Sequence, residues 1–233
     1  MNKTAEKNIP QHVAIIPDGN RRWAKARGFM VSYGHIKSGD YKHTKSLVSE
    51  AKKLGVKYLS LWAFSTENWS RPKNEREVIF DLVLNTVDKF RKDASKDKIK
   101  FKFIGRKDRL PKNLISDLLK LENETKNFSG ITVVLCLDYG GRDEILRAVN
   151  QAIKSKLKRV NEKKFSKLLD TSKIPDVDLI IRTAEEKRTS GFMPFQSVYS
   201  ELYFAKPCFP DFGKRELKKA IEDFEKRKRN FGR

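Results

Sequence analysis

The sequence predicts an α/β fold in which a mostly parallel central sheet of about six strands is flanked by helices. Six short apolar, β-branched segments alternate with longer amphipathic segments, as strands and crossover helices do in parallel sheets. The length of 233 residues suits one large domain. Because no long linker, repeat or low-complexity tract divides the chain, residues 1–233 are predicted to form a single domain.

The apolar segments give the strands. They are residues 13–16, 58–64, 100–104, 131–137, 178–181 and 201–204. Each is short enough for a strand, and ITVVLCL (131–137) is apolar throughout, as in a strand buried on both faces.

Amphipathic periodicity between the strands predicts the helices. They are residues 35–54, 75–94, 111–126, 142–157, 162–169 and 214–229. The apolar residues of 77–90 spread beyond one stripe, which fits either a buried helix or a helix that lines a long apolar tunnel. Residues 183–200 are irregular and polar, and part of this segment is predicted to be a mobile loop.

Composition limits the class of protein. The formal charge of +21, from 51 basic and 30 acidic residues, favours nucleic acids, anionic membrane surfaces or phosphorylated substrates as partners without choosing among them. The start lacks an apolar signal region and no run is long enough to span a membrane, so a cytoplasmic location is predicted. Cys136 and Cys208 lack metal or redox spacing and are expected to be buried thiols.

Polar motifs follow four of the predicted strands: PDGNRRW, STENWSRP, DYGGRDE and RTAEEKRTSGF. Ligands of parallel α/β sheets bind beyond the carboxyl ends of the strands, so these motifs are expected to converge. Convergence would make an anion pocket beside a carboxylate from Asp18, Asn20, Arg21, Arg22, Asn68, Arg71, Arg142, Arg182 and Arg188.

PDGNRRW joins a strand to a helix. Its Asp and Asn could be helix caps and nothing more, but Gly19 would also let the backbone approach a phosphate at the helix start. Asp18 would then be a suitable oxygen ligand for Mg²⁺. The nucleotide loop GxxxxGK[ST] and the dinucleotide fingerprint GxGxxG are absent, which removes the main support for ATPase and dehydrogenase functions.

The other motifs leave two interpretations open. STENWSRP is either a binding segment braced by Trp69 or a polar loop packed on the core. Arg182 and Arg188 could bind one diphosphate or lie in a solvated loop. Glu201 is either an inward carboxylate that needs a partner or metal, or an exposed edge residue. The sequence leaves the role of His35 open, whereas His12 and His43 are predicted to be structural or exposed.

From HVAIIPDGNRRWAKARG (12–28) to ELYF and PDF (201–212), the chain resembles the cis-prenyltransferase, or undecaprenyl diphosphate synthase, family over nearly its full length. The resemblance implies that fold, with an apolar tunnel. It implies Mg²⁺-dependent condensation of isopentenyl diphosphate with an allylic primer, farnesyl or geranylgeranyl diphosphate. The product would be a long-chain polyprenyl diphosphate such as tritrans,polycis-undecaprenyl diphosphate, a glycosyl carrier lipid precursor. A homodimer is also implied, and a basic surface with a lipid product would favour peripheral membrane contact.

The resemblance also implies residue roles. Asp18 would hold the Mg²⁺–diphosphate, Glu201 would help to coordinate Mg²⁺ across a dimer contact, and Asn68 would lie near the reacting carbons. The primer diphosphate would be bound by Gly19, Asn20, Arg21 and Arg22, with help from His35. Isopentenyl diphosphate would be bound by Arg182, Arg188 and Ser190. Further substrate contacts would come from Trp23, Arg27, Phe64, Ser65, Glu67, Trp69 and Arg71.

The chain departs from the bacterial pattern at several positions. Val31 replaces a common arginine, so a primer contact is missing or is supplied by Arg21 or Arg27. Ala184 and Glu185 replace two glycines, which predicts a stiffer loop, and Gly191 replaces an asparagine. NFG (230–232) lacks the arginine of the usual Arg-x-Gly tail, and residues 192–204 look more like archaeal members.

Two competing functions are a non-catalytic partner subunit and a basic nucleic-acid-binding α/β protein. The first predicts loss of Asp18, Arg182 or Arg188, and all three are present. The second would explain the charge, but no RRM, KH or C₂H₂ motif is present. The sequence therefore favours an active prenyltransferase with no nucleic-acid partner.

Overall fold

A computed structural model describes residues 8–229 of the protein. Within this range six strands form one sheet, ordered β3-β4-β2-β1-β5-β6, and all neighbouring strands are parallel. The strands are β1 His12–Ile16, β2 Tyr58–Ser65, β3 Lys100–Ile104, β4 Thr132–Tyr139, β5 Leu179–Arg182 and β6 Glu201–Phe204. The predicted parallel sheet is confirmed, with strand bounds within two residues. The NFG tail lies outside the described residues.

Helices connect and cover the strands. They are α1 Asn20–Lys25, α2 Val31–Ser38, α3 Tyr41–Lys53, α4 Lys73–Asp97, α5 Lys112–Thr125, α6 Gly141–Lys154, α7 Glu162–Ser166 and α8 Lys214–Glu225. Short 3₁₀ turns span Thr66–Ser70 and Phe209–Asp211.

The single helix predicted over residues 35–54 is wrong, because α2 and α3 are separate. The chain leaves the helical path at Gly39, and the Asp40 side chain caps α3 by accepting a hydrogen bond from the Lys42 amide at 3.1 Å. A carboxylate in this position satisfies an amide that has no partner within the helix. The break puts α2 next to α1, with which it packs beside the carboxyl end of β1.

Apolar side chains fill both faces of the sheet. In β1, Val13 and Ile15 belong to the larger core with α3, α4, α5 and α8, whereas Ala14 and Ile16 face a second cluster that includes Cys136. Cys136 is fully buried, as predicted, but Cys208 is only partly buried. Since each fully buried large side chain contributes about 1.5–3 kcal/mol, the strands form a firm platform for the loops at their ends.

Residues 183–200 contain no helix or strand, as predicted. Phe192 and Met193 are nevertheless completely buried, and Gln196 is 3% exposed. These side chains anchor the second half of the segment to the sheet. Across residues 8–229, no helix is long and apolar enough to cross a membrane.

Candidate active site

A charged pair lies at the carboxyl ends of the neighbouring strands β1 and β5. The chain leaves β1 toward β2 on one side of the sheet and leaves β5 toward β6 on the other side. Asp18 follows β1, and Arg182 ends β5 opposite Ile16. The Asp18 carboxylate accepts a hydrogen bond from Arg182 at 2.8 Å, and the Arg182 side chain is only 6% exposed. The Thr183 hydroxyl fixes the Asp18 backbone, since it accepts from the amide and donates to the carbonyl at 2.8 Å each. This is the position at which parallel α/β sheets bind ligands.

The turn after Asp18 requires glycine. Gly19 has a φ of 89°, and a Cβ atom there would lie 2.7 Å from both the Ala184 Cβ and the Cys208 Sγ, so any other residue would collide. The side chain of the next residue, Asn20, accepts a hydrogen bond of 2.7 Å from the Ser38 hydroxyl. The start of α1 is therefore held against both α2 and the loop after β5.

The loop after β5 wraps around Arg182. The guanidinium donates to the Ser190 hydroxyl at 2.7 Å and to the Arg188 backbone carbonyl at 2.6 Å. Its Nε has no partner among the described residues. Arg182 and Ser190 are thus brought together as the sequence predicts, and one buried donor stays available for a ligand.

Ala184 and Glu185, which stand where related sequences have glycines, have φ values of 66° and 58°. Their amides donate to the carbonyls of Pro207 at 2.8 Å and Ala205 at 2.9 Å. Residues other than glycine pay about 1–2 kcal/mol each for left-handed backbone. The loop therefore keeps the conformation that suits glycine although its side chains oppose it.

Glu186 is a site residue that the sequence did not reveal. Its carboxylate lies 2.7 Å from Arg22 of α1 and also forms an ion pair with Arg188. Both arginine side chains are more than half exposed, so these ion pairs are weak and a diphosphate could replace Glu186. An acidic residue in a charged loop gives no signal of this bridge, because it depends on the approach of α1.

A second cationic cluster lies between α1, α2 and the start of α4. His35 donates to Glu75 at 3.0 Å, and Arg71 lies 3.3 Å from the same carboxylate oxygen. Burial lowers the pKa of His35, although the hydrogen bond to Glu75 offsets part of this effect, and burial also lowers the pKa of Arg71. The positive charge of Arg21 lies near His35 and Arg71 and also lowers the pKa of both. Arg21 has no ion pair within residues 8–229. Glu75 thus contacts Arg71 and His35 but not Arg21, which leaves the cluster open to an anion.

The segment after β2 forms a 3₁₀ turn that presents Asn68. The Asn68 Oδ1 accepts from the Ser65 amide at 3.1 Å as part of a capping box. The neighbouring Trp69 donates its indole N–H to Asp138 at 2.8 Å. Asp138 is completely buried and also accepts two hydrogen bonds from Arg109. This ion pair holds Trp69, and through it Asn68, at the edge of the sheet.

Two guanidinium groups lie close to the Trp69 ring. Those of Arg76 and Arg109 lie 5.1 and 5.2 Å from its ring centre, within the range of cation–π attraction. Phe64 packs edge-on against it at 5.7 Å, whereas Glu67 is exposed. Sequence reasoning identified Trp69 as a brace but missed Asp138, Arg76 and Arg109. Of these three, only Asp138 had a signal in the sequence, because it is the Asp of the DYGGRDE motif.

Two further arginines occupy different surroundings from those expected. Arg27 stacks over Trp23 at 4.5 Å and lies 3.0 Å from Asp211, so its charge is already paired. Of the two arginines predicted to replace the cation missing at Val31, Arg21 therefore has the free charge. Arg142, at the second position of α6, is exposed.

Glu201 does not lie beside Asp18 within one chain. It begins β6 opposite Leu179, three residues before Arg182, and its carboxylate is 2.7 Å from Arg227. A Mg²⁺ ion shared with Asp18 would need the Glu201 of a second copy. The metal role of Glu201 stays a prediction.

An apolar cavity of about 150 Å³ lies between the sheet and α4. Its polar end includes Asn20 and His35, near the charged clusters. Its far end includes Phe90, Phe101 and Leu121, and Phe101 lies near the start of β3 rather than its carboxyl end. α4 thus has buried residues and also lines an apolar cavity, while a tunnel for a long hydrocarbon chain stays a prediction. Pro17 and Asn20, which flank Asp18 in sequence, belong to the lining of the cavity.

The donor set around Asp18 fits Mg²⁺ held together with a diphosphate. No group of three or more His, Cys, Asp or Glu side chains suited to a metal occurs in the described part of the chain. Mg²⁺ commonly binds through one or two carboxylates while substrate phosphates and water supply the other oxygens. Asp18 has the carboxylate, and the surrounding arginines would bind the remaining phosphate oxygens.

These features define a class: an α/β enzyme site for a diphosphate attached to a hydrocarbon chain. A family model described as "Putative undecaprenyl diphosphate synthase" matches residues 16–232. The chain belongs to this prenyltransferase family.

Similar proteins agree over almost the whole chain. An isoprenyl transferase of Aquifex pyrophilus is 48% identical over 225 residues, which cover 97% of this chain and 96% of the relative. One from Fusobacterium nucleatum is 45% identical and covers 97% of each chain. Both are bacterial, so the archaeal resemblance of residues 192–204 stays a prediction.

Solved structures show the same fold. Lavandulyl diphosphate synthase from Lavandula x intermedia, in complex with dimethylallyl diphosphate, has a TM-score of 0.91 and 35% identity, and the match covers 97% of this chain and 99% of that one. A "probable undecaprenyl diphosphate synthase" from Campylobacter jejuni has a TM-score of 0.82 and 35% identity, with 97% and 100% covered. At this identity and coverage, the predicted undecaprenyl diphosphate synthase-like fold is confirmed.

Proposed function

We propose that this protein elongates cis-prenyl chains by sequential condensation of isopentenyl diphosphate with an allylic diphosphate. The observation that carries the proposal is the ion pair of Asp18 with the buried Arg182, which lies among cationic side chains near the polar end of an apolar cavity. A polar head and an apolar tail have adjoining sites in this arrangement. The membership of the chain in the prenyltransferase family supports the same reaction.

The allylic primer would bind with its tail in the cavity. Asn20 and His35 belong to the polar end of the cavity, and Arg21 lies near His35, so these residues would surround the primer diphosphate. The complex of the lavender enzyme with dimethylallyl diphosphate supports an allylic diphosphate as ligand. Farnesyl and geranylgeranyl diphosphate are the two primers proposed.

Isopentenyl diphosphate would bind on the other side of Asp18. Arg182, Arg188 and Ser190 lie together there, and a diphosphate would take the place of Glu186 at Arg188. The same exchange would free Arg22 from Glu186. Each charge-assisted hydrogen bond to the ligand would contribute about 1.5–3 kcal/mol.

The reaction breaks the C1–O bond of the allylic diphosphate and forms a bond from the terminal carbon of isopentenyl diphosphate to that C1. A proton leaves C2 of the isopentenyl unit, and this loss forms the new double bond. The pyrophosphate released by cleavage of the C1–O bond is the second product. When bound at Asp18, Mg²⁺ would neutralise charge on the departing diphosphate. Arg21, Arg22 and Arg71 would bind the same leaving group from fixed positions, while Asn68 would lie near the reacting carbons.

The cavity would determine how far the chain grows. Burial of each CH₂ group contributes about 0.8 kcal/mol, so each five-carbon unit adds on the order of 4 kcal/mol until the chain meets the far end. A long-chain polyprenyl diphosphate such as tritrans,polycis-undecaprenyl diphosphate, used as a glycosyl carrier lipid precursor, is the proposed product.

A homodimer is part of the proposal. Leu146 and Ile153 of α6 are 63% and 70% exposed, and Val198, which precedes the edge strand β6, is 73% exposed. Contact through this side of the molecule would cover apolar surface and could bring Glu201 toward the partner's metal site. A cytoplasmic location with peripheral membrane contact fits such a protein.

The experiment that tests the proposal incubates purified protein with Mg²⁺, labelled isopentenyl diphosphate and, separately, farnesyl and geranylgeranyl diphosphate. We expect labelled polyprenyl diphosphates that disappear when Mg²⁺ is chelated, and the better primer identifies the substrate. Folded protein that incorporates no label with either primer would contradict the proposal and favour a non-catalytic partner subunit.

A further inference from the structure

The surface formed by α1, α2 and their connection has unusual exposure of apolar side chains. Its four exposed members, here called the α1–α2 patch, are Phe29 (46%), Met30 (79%), Tyr33 (40%) and Ile36 (45%). The ring of Tyr33 lies 4.6 Å from that of Phe29 and 6.2 Å from that of the buried Trp23. Phe29 and Tyr33 thus pack together on the buried Trp23, and Met30 and Ile36 are their exposed neighbours in sequence.

Basic residues surround this patch. Between positions 19 and 39 the sequence has five Lys or Arg residues and no Asp or Glu. Arg22 and Arg27 are paired with acidic residues of other segments, which leaves Arg21, Lys25 and Lys37 without an ion pair among residues 8–229. Lys25 and Lys37 are exposed among them. Aromatic and aliphatic side chains bordered by cations are typical of helices that lie in the plane of a membrane interface.

The patch belongs to the same helices as the head of the cavity. His35, Ser38 and Gly39 of α2 line the cavity, while Tyr33 and Ile36 of the same helix are exposed. A hydrocarbon chain that leaves the polar end of the cavity therefore emerges next to α2.

We propose that the α1–α2 patch docks on an anionic lipid surface and so delivers the product directly to the membrane. The delivery step rests on the proposed function, whereas the docking does not. Charge complementarity selects the occupant: a second copy would place one strongly basic face against another, while anionic headgroups neutralise it. The exposed apolar residues would enter the boundary between headgroups and acyl chains.

The test measures cosedimentation of the full chain with vesicles of mixed phosphatidylglycerol and phosphatidylcholine. We expect binding that weakens with salt and is much lower on phosphatidylcholine alone. The double variant Phe29→Ser, Met30→Ser should lose about tenfold or more in vesicle affinity, and Lys25→Gln, Lys37→Gln should lose affinity on anionic vesicles only.

Matched controls come from a second basic and partly apolar surface after α6. Leu157 and Val160 are 40% and 45% exposed, and Lys154 and Lys158 are exposed nearby. Leu157→Ser with Val160→Ser, and Lys154→Gln with Lys158→Gln, should bind vesicles like the unchanged protein. Equal or greater loss in these controls would overturn the proposal, as would a preference for a DNA oligonucleotide over the vesicles in competition.

Isopentenyl incorporation in detergent provides a separate readout. The patch variants should retain this activity, because none of their residues lies in the proposed binding site, and retention also shows that they fold. A protein that binds vesicles through the patch but incorporates no label would refute the proposed function and leave the docking intact. If the patch variants lose both vesicle binding and incorporation in detergent, docking is not a separate role of the patch and the proposal is overturned.

Discussion

Asp18 lies where a negative side chain is surrounded by positive ones, and its pairing with Arg182 suggests how it can be tested. We predict that Asp18→Ala removes nearly all turnover while the fold is kept. Arg182 would lose its carboxylate partner but would still donate to the Ser190 hydroxyl and the Arg188 carbonyl, so its guanidinium would keep two hydrogen bonds. Circular dichroism and incorporation of labelled isopentenyl diphosphate measure the two effects.

A matched control for this variant is Asp88→Ala, which removes a carboxylate whose side chain is 76% exposed. It should retain full turnover. Activity of Asp18→Ala within about tenfold of the unchanged protein, or about 1.4 kcal/mol in barrier, would contradict the role assigned to Asp18.

Asp138 is a positioning residue that acts through Trp69. Asp138→Ala would leave the Trp69 indole N–H without its acceptor and would put alanine at a φ of 51°. We predict a loss of on the order of 2–4 kcal/mol in unfolding free energy, together with a lower kcat. Denaturant unfolding and steady-state kinetics measure these changes.

Asp138→Asn is the informative comparison, since asparagine keeps an acceptor for Trp69 and tolerates left-handed backbone. It should recover most of the stability and most of the kcat that alanine loses. If the two variants have the same kcat, Asp138 does not position the segment that carries Asn68.

At the scale of elements, α4 and the strands enclose the cavity, so a change at its far end should alter the product. Phe90 lies there with its ring centre 5.7 Å from that of Phe101. We predict that Phe90→Leu shifts the product distribution toward longer chains by one or more isoprene units, because the smaller side chain leaves room for further growth. Chromatography of the extracted products measures the shift.

The control is Phe224→Leu in α8, a completely buried phenylalanine outside the lining of the cavity. It should lower stability to a similar degree, on the order of 1 kcal/mol, without changing product length. An equal shift in both variants would mean that general loosening of the core, and not the end of the cavity, determines chain length.

The strands and the motifs after them were predictable because their signals are local. β-branched runs bounded by turn residues predict strands wherever they pack, and parallel strands place their following loops at one edge. The break between α2 and α3 was missed because both helices have the same periodicity. The only signal of the break is Asp40, whose side chain caps the start of α3. Glu186 and Asp138 were missed for another reason: Arg22 and Trp69, which they contact, are distant from them in sequence and meet them only in the folded chain.

At the scale of the whole molecule, the charge of +21 predicts attraction to anions without locating it. The structure distributes part of this charge between the two clusters beside Asp18 and part to the surface of α1 and α2. Composition could not distinguish the basic residues of the clusters from those of the surface, since the role of each arginine depends on the side chains that lie opposite it in the fold. The homodimer also stays a prediction, because its contacts would form between two chains and not within one.

Folding of the whole molecule should depend on pH through His12. This side chain is 1% exposed and lies between the Pro175 carbonyl at 2.8 Å and the Ser60 hydroxyl at 2.7 Å. Burial lowers its pKa to about 4, from an ordinary value of about 6.5. Between these values the unfolded chain binds a proton that the folded protein does not, so stability must fall as the pH falls.

We therefore predict a loss on the order of 3 kcal/mol in unfolding free energy between about pH 6.5 and pH 4 from this group. Denaturant unfolding at a series of pH values measures it, and His12→Gln, which cannot titrate, isolates the contribution of His12. The difference in stability between the two proteins should shrink as the pH is lowered through this window. A constant difference would show that His12 binds its proton equally well in the folded and unfolded chains, and that its burial does not exclude the charged form.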